Sequence, residues 1–356
     1  MHTVIMAGGK GTRFWPRSRS RRPKQLLSIT GGRTMIQRTV DRITPLVHWS
    51  DIWIVAGQVH VPGIRSQLPD LPEGNILVEP AGRNTAPCIG LAAVYIQRKD
   101  PESTMAVLSS DHMVGEEQRF RDVLLVADRV ARREDALLTI GIQPSSPETG
   151  YGYIHIGKQV YDVEEQTVYQ VQDFTEKPDL KTAEAFLKSG VYLWNSGMFV
   201  WRVDVILEEI RRLLPDLHAG LMEIAQAIGT DDERMTIEQV YGRVEGISID
   251  YGVMEKARRV LALKGTFPWS DIGSWATLEE IAEKDPDGNA VIGRLVGIDT
   301  SGTIIYCPDK LVAAVGVKDL IVVETEDALL LCSKDRAQEV REIVEELERR
   351  GLEEYL

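Results

Sequence analysis

The amino-acid sequence predicts an α/β fold, a mainly parallel mixed sheet covered by helices, followed by a small β-rich domain that ends in an α-helix. Three observations predict it. Short apolar runs rich in β-branched residues alternate with helix-patterned stretches from residue 3 onward, the pattern of parallel strands joined through helices. The 356 residues, 43% of them hydrophobic, are long enough for one large domain and a smaller one. Around "EKDPDGNA" (283–290) Pro, Asp and Gly cluster like a linker, and the pattern turns to closely spaced β-rich runs. Domains are therefore expected at 1–284 and 285–356.

The elements follow in order. "TVIM" (3–6) reads as a buried strand running into glycines, and "DIWIVAG" (51–57), "NILVEP" (75–80), "TMAVLSS" (104–110) and "ALLTIGI" (136–142) read the same way. Between them, 84–99 starts at Asn84, suited to capping, and continues with helical spacing. Residues 116–134 place Phe120, Leu124, Val126 and Val130 on one broad stripe. "GYGYIHIG" (150–157) and "VYQVQDFTEKP" (168–178) read as strands, and 179–190 as a helix closed by Gly190. "WNSGMFVW" (194–201) reads as a turn leading into a strand. In the tail, the β-rich runs give way to a helix with Val340, Ile343, Val344 and Leu347 on one face and Gly351 as its stop. A fragment of a β-helix is one form this tail can take.

Composition excludes several classes of function. The formal charge is −13, which argues against nucleic-acid or membrane-surface binding. No apolar run approaches the ~20 residues of a membrane helix, and "TVIMA" stops at Gly8, too short for a secretory core. Cys88, Cys307 and Cys332 are few and widely spaced, so neither a disulfide framework nor a zinc site is indicated, and a cytoplasmic location is expected. Against this acidic background, "MAGGKGTRFWPRSRSRRPKQLL" (6–27) holds seven basic residues and no acid. That points to a small anionic ligand.

The segment has the chemistry for one. Gly8, Gly9 and Gly11 let backbone N–H groups approach an anion, Thr12 adds a hydroxyl, and Arg13 and Lys24 can reach phosphate oxygens. It is neither a Walker loop nor a dinucleotide fingerprint, because Gly11 follows Lys10 and Phe14 stands where a glycine is needed. "EPAGRNTAP" (79–87) joins a strand to a helix start, where anions are favoured. "VLSSDH" sets Asp111 past the carboxyl end of a strand, the edge where open α/β sheets bind ligands. A carboxylate there suits Mg2+, and Asp271 in "WSDIGSW" can be read likewise, although 160 residues separate the two. "FTEKP" offers Glu176 and Lys177, which serve one ligand only if the strand ends there; a surface ion pair is the other reading.

Together these motifs resemble the sugar-phosphate nucleotidyltransferases, whose signature runs Gly-Gly-x-Gly-Thr-Arg, then Pro, then Pro-Lys. Phe14, Trp15, Pro16, Ser18 and Arg19 resemble the mannose-1-phosphate guanylyltransferase branch. "EPAGRNTAP", "SSDH", "FTEKP", "WNSGMF" (194–199), "SIDYGVMEKA" (248–257) and "WSDIGSW" (269–275) follow in order, so the likeness covers roughly residues 1–285.

The resemblance implies a Rossmann-like nucleotidyltransferase domain that converts GTP and mannose 1-phosphate into GDP-mannose and pyrophosphate. It implies nucleotide contacts at Ala7, Gly8, Gly9, Gly11, Thr12, Arg13, Lys24, Glu79, Pro80, Asn84, Thr85 and Ser110. Gly152, Glu176, Lys177, Asn195 and Gly197 are implied at the sugar phosphate, and Asp111 and Asp271 as ligands of Mg2+. Arg13, Lys24, Asp111 and Lys177 are the implied catalytic residues. His112 and His155 are not needed as bases, since a phosphate monoester, with a second pKa of about 6, is already an ionised nucleophile. Alternatives are another nucleotide or sugar 1-phosphate, or a non-catalytic paralogue that senses sugar nucleotides. A bifunctional isomerase is not expected, because the tail holds no His. The assembly is open, a homodimer being one option.

Overall fold

The computed structural model describes every residue but Thr30, and every side chain but those of Thr30, Glu280 and Ile281. Its strands, in chain order, are β1 (His2–Met6), β2 (Ile52–Gly57), β3 (Ile76–Glu79), β4 (Thr104–Ser109), β5 (Met113–Val114), β6 (Leu137–Ile142), β7 (Gly152–Val163) and β8 (Gln166–Glu176). They continue with β9 (Tyr192–Arg202), β10 (Val260–Gly265), β11 (Trp269–Ser270), β12 (Ala290–Ile298), β13 (Ile304–Val315), β14 (Leu320–Glu324) and β15 (Leu329–Ser333).

Nine of these form the main sheet, in the order β3-β2-β1-β4-β9-β6-β10-β8-β7. The pairings β3–β2, β2–β1, β1–β4 and β6–β10 are parallel, and only β8 and β9 run against the rest. The sheet is thus the mainly parallel mixed one the sequence predicts. Its faces are apolar on both sides, as parallel strands under two helical layers require. One core joins Ile5, Ile54 and Leu138 to the helices Met35–Ile43 and Glu117–Arg133. The other joins Val4, Val55 and Leu137 to Thr85–Lys99, Val203–Leu213 and Pro215–Ala227.

Two details position the site. The carboxyl ends of β1, β3 and β4 share one rim, because these strands run side by side in parallel. And β7 begins where β6 stops: Trp194 of β9 pairs with Ile142 on β6 and with Tyr153 on β7. The β7–β8 hairpin therefore rises from that rim as a wall. The expected turn at 194–201 lies inside β9 instead. Its glycine produces a register shift opposite Ile140 and Gly141, with Gly197 at φ +67°, so the strand bulges without ending.

The tail is a coil. β12, β13 and β14 pair in parallel, with partners 14 residues apart at Ala290 and Ile304 and 17 apart at Ile304 and Ile321. Parallel neighbours this close in sequence leave no room for a crossover helix, so each strand is a rung of a β-helix-like turn. β15 closes the sheet antiparallel to β14, and the helix Val340–Arg349 follows, ending before Gly351 at φ +68°. A third core joins this tail to the opening segment. It holds Phe14, Trp15, Leu27 and Trp275 on one side and Ile304, Ile321, Val323 and Val340 on the other. No helix among the described residues is long and apolar enough to cross a membrane.

Candidate active site

The opening loop is built around one buried cation. Gly11 takes φ +63°, a backbone shape that favours glycine, and the chain then makes one tight turn over Thr12–Phe14. Gln25 ties the loop down, its Nε2 donating to the carbonyls of Ala7 at 2.7 Å and Gly9 at 3.0 Å. Lys24 packs directly on Gly11 and is only 4% exposed. Its Nζ donates to Asp111 Oδ2 at 2.9 Å and to the backbone carbonyl of Asp271 at 2.6 Å.

The structure thus brings the two distant aspartates to one place, and the pairing of β5 with β11 is how. Met113 stands opposite Ser270 and Val114 opposite Trp269, which lays the segment after β4 beside the one carrying Asp271. The backbone N–H of Ser110 donates to the Met6 carbonyl at 3.1 Å, and Ser109 Oγ donates to Asp111 Oδ1 at 2.8 Å. Burial alone would raise the Asp111 carboxyl, but Lys24, His112 and the hydrogen bonds from Lys24 and Ser109 outweigh it and hold it at about 2. It is an anion at any pH near neutral. Asp271 Oδ1 accepts from the Tyr151 hydroxyl at 2.9 Å. His112 is held below the usual histidine range by burial, and its Nδ1 accepts from Trp269 Nε1 at 3.2 Å. The ring is thus neutral near pH 7 and already committed to the tryptophan.

The segment after β3 forms the next part of the rim. Glu79 is 6% exposed and lies under the glycine loop, its Oε2 placed 3.4 Å from where a Cβ on Gly8 would stand. Burial pushes its carboxyl up to about 7, and the hydrogen bond donated by Tyr241 at 3.1 Å only partly offsets that. Pro80 is exposed beside it. Asn84 caps the following helix through Thr85, with Oδ1 accepting from the Thr85 N–H at 2.9 Å. The helix start is less open to an anion than its sequence suggests, since the Ala86 N–H already donates to the Ile247 carbonyl. Thr85 Oγ1 accepts from the Ile249 N–H at 2.8 Å, which fixes the segment bearing Asp250.

Asp250 is a residue the sequence reasoning missed. Asn195 Nδ2 donates to its Oδ1 at 2.7 Å, and burial raises its carboxyl in spite of that bond, with nearby Glu176 adding to the rise. Glu176 also leans on Gly152, where any side chain would meet its Oε2 at 2.5 Å. β8 ends at Glu176, and Lys177 takes φ +46°. The alternation of faces breaks there, so both side chains turn the same way and Lys177 Nζ pairs with Glu176 Oε1 at 3.0 Å. Gly197 leaves open space and donates its N–H to Asn195 Oδ1 at 3.2 Å. Tyr151, also missed, joins the two halves of the site: its hydroxyl holds Asp271 and its carbonyl accepts from the Lys177 N–H at 3.3 Å. Both residues lie in motifs already singled out, "GYGYI" and "SIDYGVMEKA", and a polar side chain beside each chosen glycine or helix was the available signal.

Three non-glycine residues with positive φ, namely Asn84, Lys177 and Ile272, fall in these motifs. Ile272 is β-branched and fully buried at φ +43°, a strained shape kept only where the surroundings over-determine it. It follows Asp271 directly.

The remaining arginines of the opening segment do something the sequence did not suggest. Arg13 Nη1 donates to Gln338 Oε1 in the tail at 2.8 Å. Arg17 lies over the Tyr306 ring at 4.2 Å. Arg19 bonds to the Tyr355 carbonyl and pairs with Asp327 at 2.7 Å. Arg21 and Arg22 are exposed without such a role.

An α/β sheet whose rim carries a glycine loop and a buried lysine bonded to Asp111 and to the Asp271 backbone has the layout of a nucleotidyl transferase. The model of the nucleotidyl transferase family matches residues 2–288, and that of the MannoseP isomerase/GMP-like beta-helix domain matches residues 293–347. The mannose-1-phosphate guanylyltransferase of Salmonella typhimurium strain LT2 is 39% identical over 362 residues, spanning 100% of this chain and 75% of that protein. Its counterpart in Escherichia coli K12 is 38% identical over 360 residues, with the same shares. A solved structure from Thermus thermophilus, described as a mannose-1-phosphate geranyltransferase, matches with TM-score 0.87 at 37% identity, covering 98% of this chain and 99% of that one. The chain belongs to the nucleotidyl transferase family, in its mannose-1-phosphate guanylyltransferase branch.

Proposed function

We propose that this protein transfers GMP from GTP to α-D-mannose 1-phosphate, releasing GDP-mannose and pyrophosphate. The observation that carries the reading is the meeting of Lys24 with Asp111 and Asp271 at the sheet rim, beside the glycine loop. Two polyanions must meet for this reaction, so charge neutralisation and alignment are the main demands on the protein.

Lys24 answers the first demand. Its ammonium is buried and aimed by Gly11, and it bears on the α-phosphate as charge develops there. The backbone N–H groups of 8–12 and the Arg13 guanidinium hold the β- and γ-phosphates and steady the departing pyrophosphate. Glu79, Pro80, Asn84, Thr85 and Ser110 receive the nucleoside. Across the cleft, Lys177 holds the sugar phosphate in line, and Glu176, Asn195 and Asp250 accept or donate hydrogen bonds to the sugar hydroxyls, with Gly152 and Gly197 allowing close approach.

Asp111 and Asp271 are the residues that would hold Mg2+. The fit rests on their chemistry: the Asp111 carboxylate is a hard oxygen donor already facing a cation, the Lys24 ammonium, and that ammonium also meets the backbone carbonyl of Asp271, whose carboxylate is bound by the Tyr151 hydroxyl. Mg2+ commonly takes one or two protein carboxylates and completes its shell with substrate phosphate and water. When bound, such an ion supplies further positive charge to phosphate oxygens.

The same proposal assigns 1–284 to catalysis and 285–356 to the β-rich domain and includes a cytoplasmic location, with a homodimer as one option for the assembly. The decisive experiment is pyrophosphate release from four NTPs against several sugar 1-phosphates, with and without Mg2+. Release with GTP and mannose 1-phosphate, lost without the metal, is expected; no release from that pair rejects the reading.

A further inference from the structure

The β-rich tail reaches into the proposed active site at one point, where Gln338 Oε1 accepts a hydrogen bond from Arg13 Nη1 at 2.8 Å. Gln338 itself is exposed, yet its backbone is not free to wander. It sits on a 3-10 turn over Lys334–Glu339, flanked by Ala337 at 3% and Val340 at 2% exposure. Both of those are in the third core with Phe14 and Trp15, the residues that follow Arg13. One rigid core therefore fixes both ends of this hydrogen bond.

The type of partner is informative. The other arginines that meet the tail are used up structurally: Arg17 on an aromatic ring, Arg19 on an aspartate and a carbonyl. Arg13 instead meets a neutral amide, and among the described residues no carboxylate pairs with it. An amide oxygen can aim a guanidinium while leaving its charge uncancelled, and Arg13 keeps four further N–H donors for a ligand. The guanidinium also borders the Asp271 loop, its Nη1 lying 3.5 Å from where a Cβ on Gly273 would stand. Although exposed, it is tethered at the rim.

We propose that Gln338 is a positioning residue for the Arg13 guanidinium, so that the C-terminal domain takes part in nucleotide triphosphate binding through a single amide. The inference rests on the phosphate-binding role given to Arg13 above.

The test is steady-state kinetics of pyrophosphate release with R13A, Q338M, Q338E and the double variant R13A/Q338M, alongside each protein's melting temperature. Methionine keeps the length of Gln and removes the acceptor. Q338M is expected to raise KM for GTP by about threefold to tenfold, the scale of one lost hydrogen bond. KM for mannose 1-phosphate and the melting temperature should stay unchanged. In the R13A background the same substitution should add nothing, because coupled residues are not additive. Q338E should weaken GTP binding more than Q338M does, since a carboxylate neutralises Arg13, and added salt should reduce the excess. Additive effects in R13A/Q338M, or a Q338M that is inert while R13A is impaired, overturn the inference alone. An R13A enzyme with unchanged kinetics for GTP overturns the role of Arg13 itself and this inference with it.

Discussion

A Cβ placed on Gly11 would stand 2.6 Å from the Cβ of Lys24 and 2.8 Å from its backbone nitrogen. This close approach explains why a glycine-rich turn and a lysine thirteen positions later behave as one unit. Gly11 is doubly constrained, by the contact and by φ +63°. Gly11→Ala meets backbone rather than a flexible side-chain tip, so Lys24 must shift. The left-handed shape alone costs about 1–2 kcal/mol for a residue with a Cβ. The expected outcome is at least a tenfold loss of kcat/KM for GTP with a lowered melting temperature. Gly9→Ala is the control: a Cβ there meets nothing within 4 Å, so the fold should hold. Equal melting temperatures for both variants would contradict the packing argument.

Lys24→Met removes the buried cation while keeping the bulk. It leaves Asp111 and the Asp271 carbonyl without their shared donor. Loss of an electrostatic contact made to developing charge costs about 100-fold or more in kcat. The prediction is a fall of that size in kcat, measured as pyrophosphate release at saturating GTP and mannose 1-phosphate. Near-normal turnover would remove Lys24 from the chemistry.

Most of the rim was legible in the sequence because it is built from strand ends. A short apolar run leading into Gly, Ser or Asp marks a place where a β-branched strand meets a loop, and β1 and β4 end in this way, while β3 is stopped by Glu79 and Pro80. What spacing could not show was the meeting of Asp111 with Asp271, which depends on the two-residue pairing of β5 and β11. Such a short bridge carries no periodic signal. The helices over 203–243 went unassigned, since their apolar residues face a core set by tertiary packing. "WNSG" read as a turn because Gly197 signals one, yet the neighbours on both sides of β9 hold the strand through it. The role of the tail was hidden for a different reason. Arg17 and Arg19 look like surface charge until the partners, more than 300 residues away for Arg19, are known.

On the sugar side, Asn195 and Asp250 form one hydrogen-bonded pair beside Glu176. In the proposed function this pair meets the sugar hydroxyls. Asn195→Ala leaves a half-buried Asp250 without its donor and removes one contact to the sugar. KM for mannose 1-phosphate is expected to rise by roughly tenfold, the scale of a lost hydrogen bond to a charged group, with KM for GTP little changed. Asp250→Asn should act on the same constant. A rise confined to the GTP constant in either variant would show that this pocket does not hold the sugar.

Glu79 gives a prediction that needs no substrate. Its carboxyl rises from 4.5 to about 7 in the folded protein, chiefly through burial. Between those values the folded state holds a proton that the unfolded chain has released. Stability must then fall as pH rises across that window and level off above it. The contribution is fully present below pH 4.5 and lost once pH passes through about 7. Its size is on the order of 3 kcal/mol, at about 1.36 kcal/mol for each pH unit the window spans. Glu79→Gln keeps the shape and an oxygen able to accept from Tyr241, and it carries no charge at any pH. The variant should match the parent near pH 5 and exceed it near pH 8 in denaturant midpoint, measured without ligand. A parent whose midpoint does not decline relative to the variant between these two pH values would mean that the Glu79 carboxyl is solvated, and that the floor of the glycine loop is wetter than its packing shows.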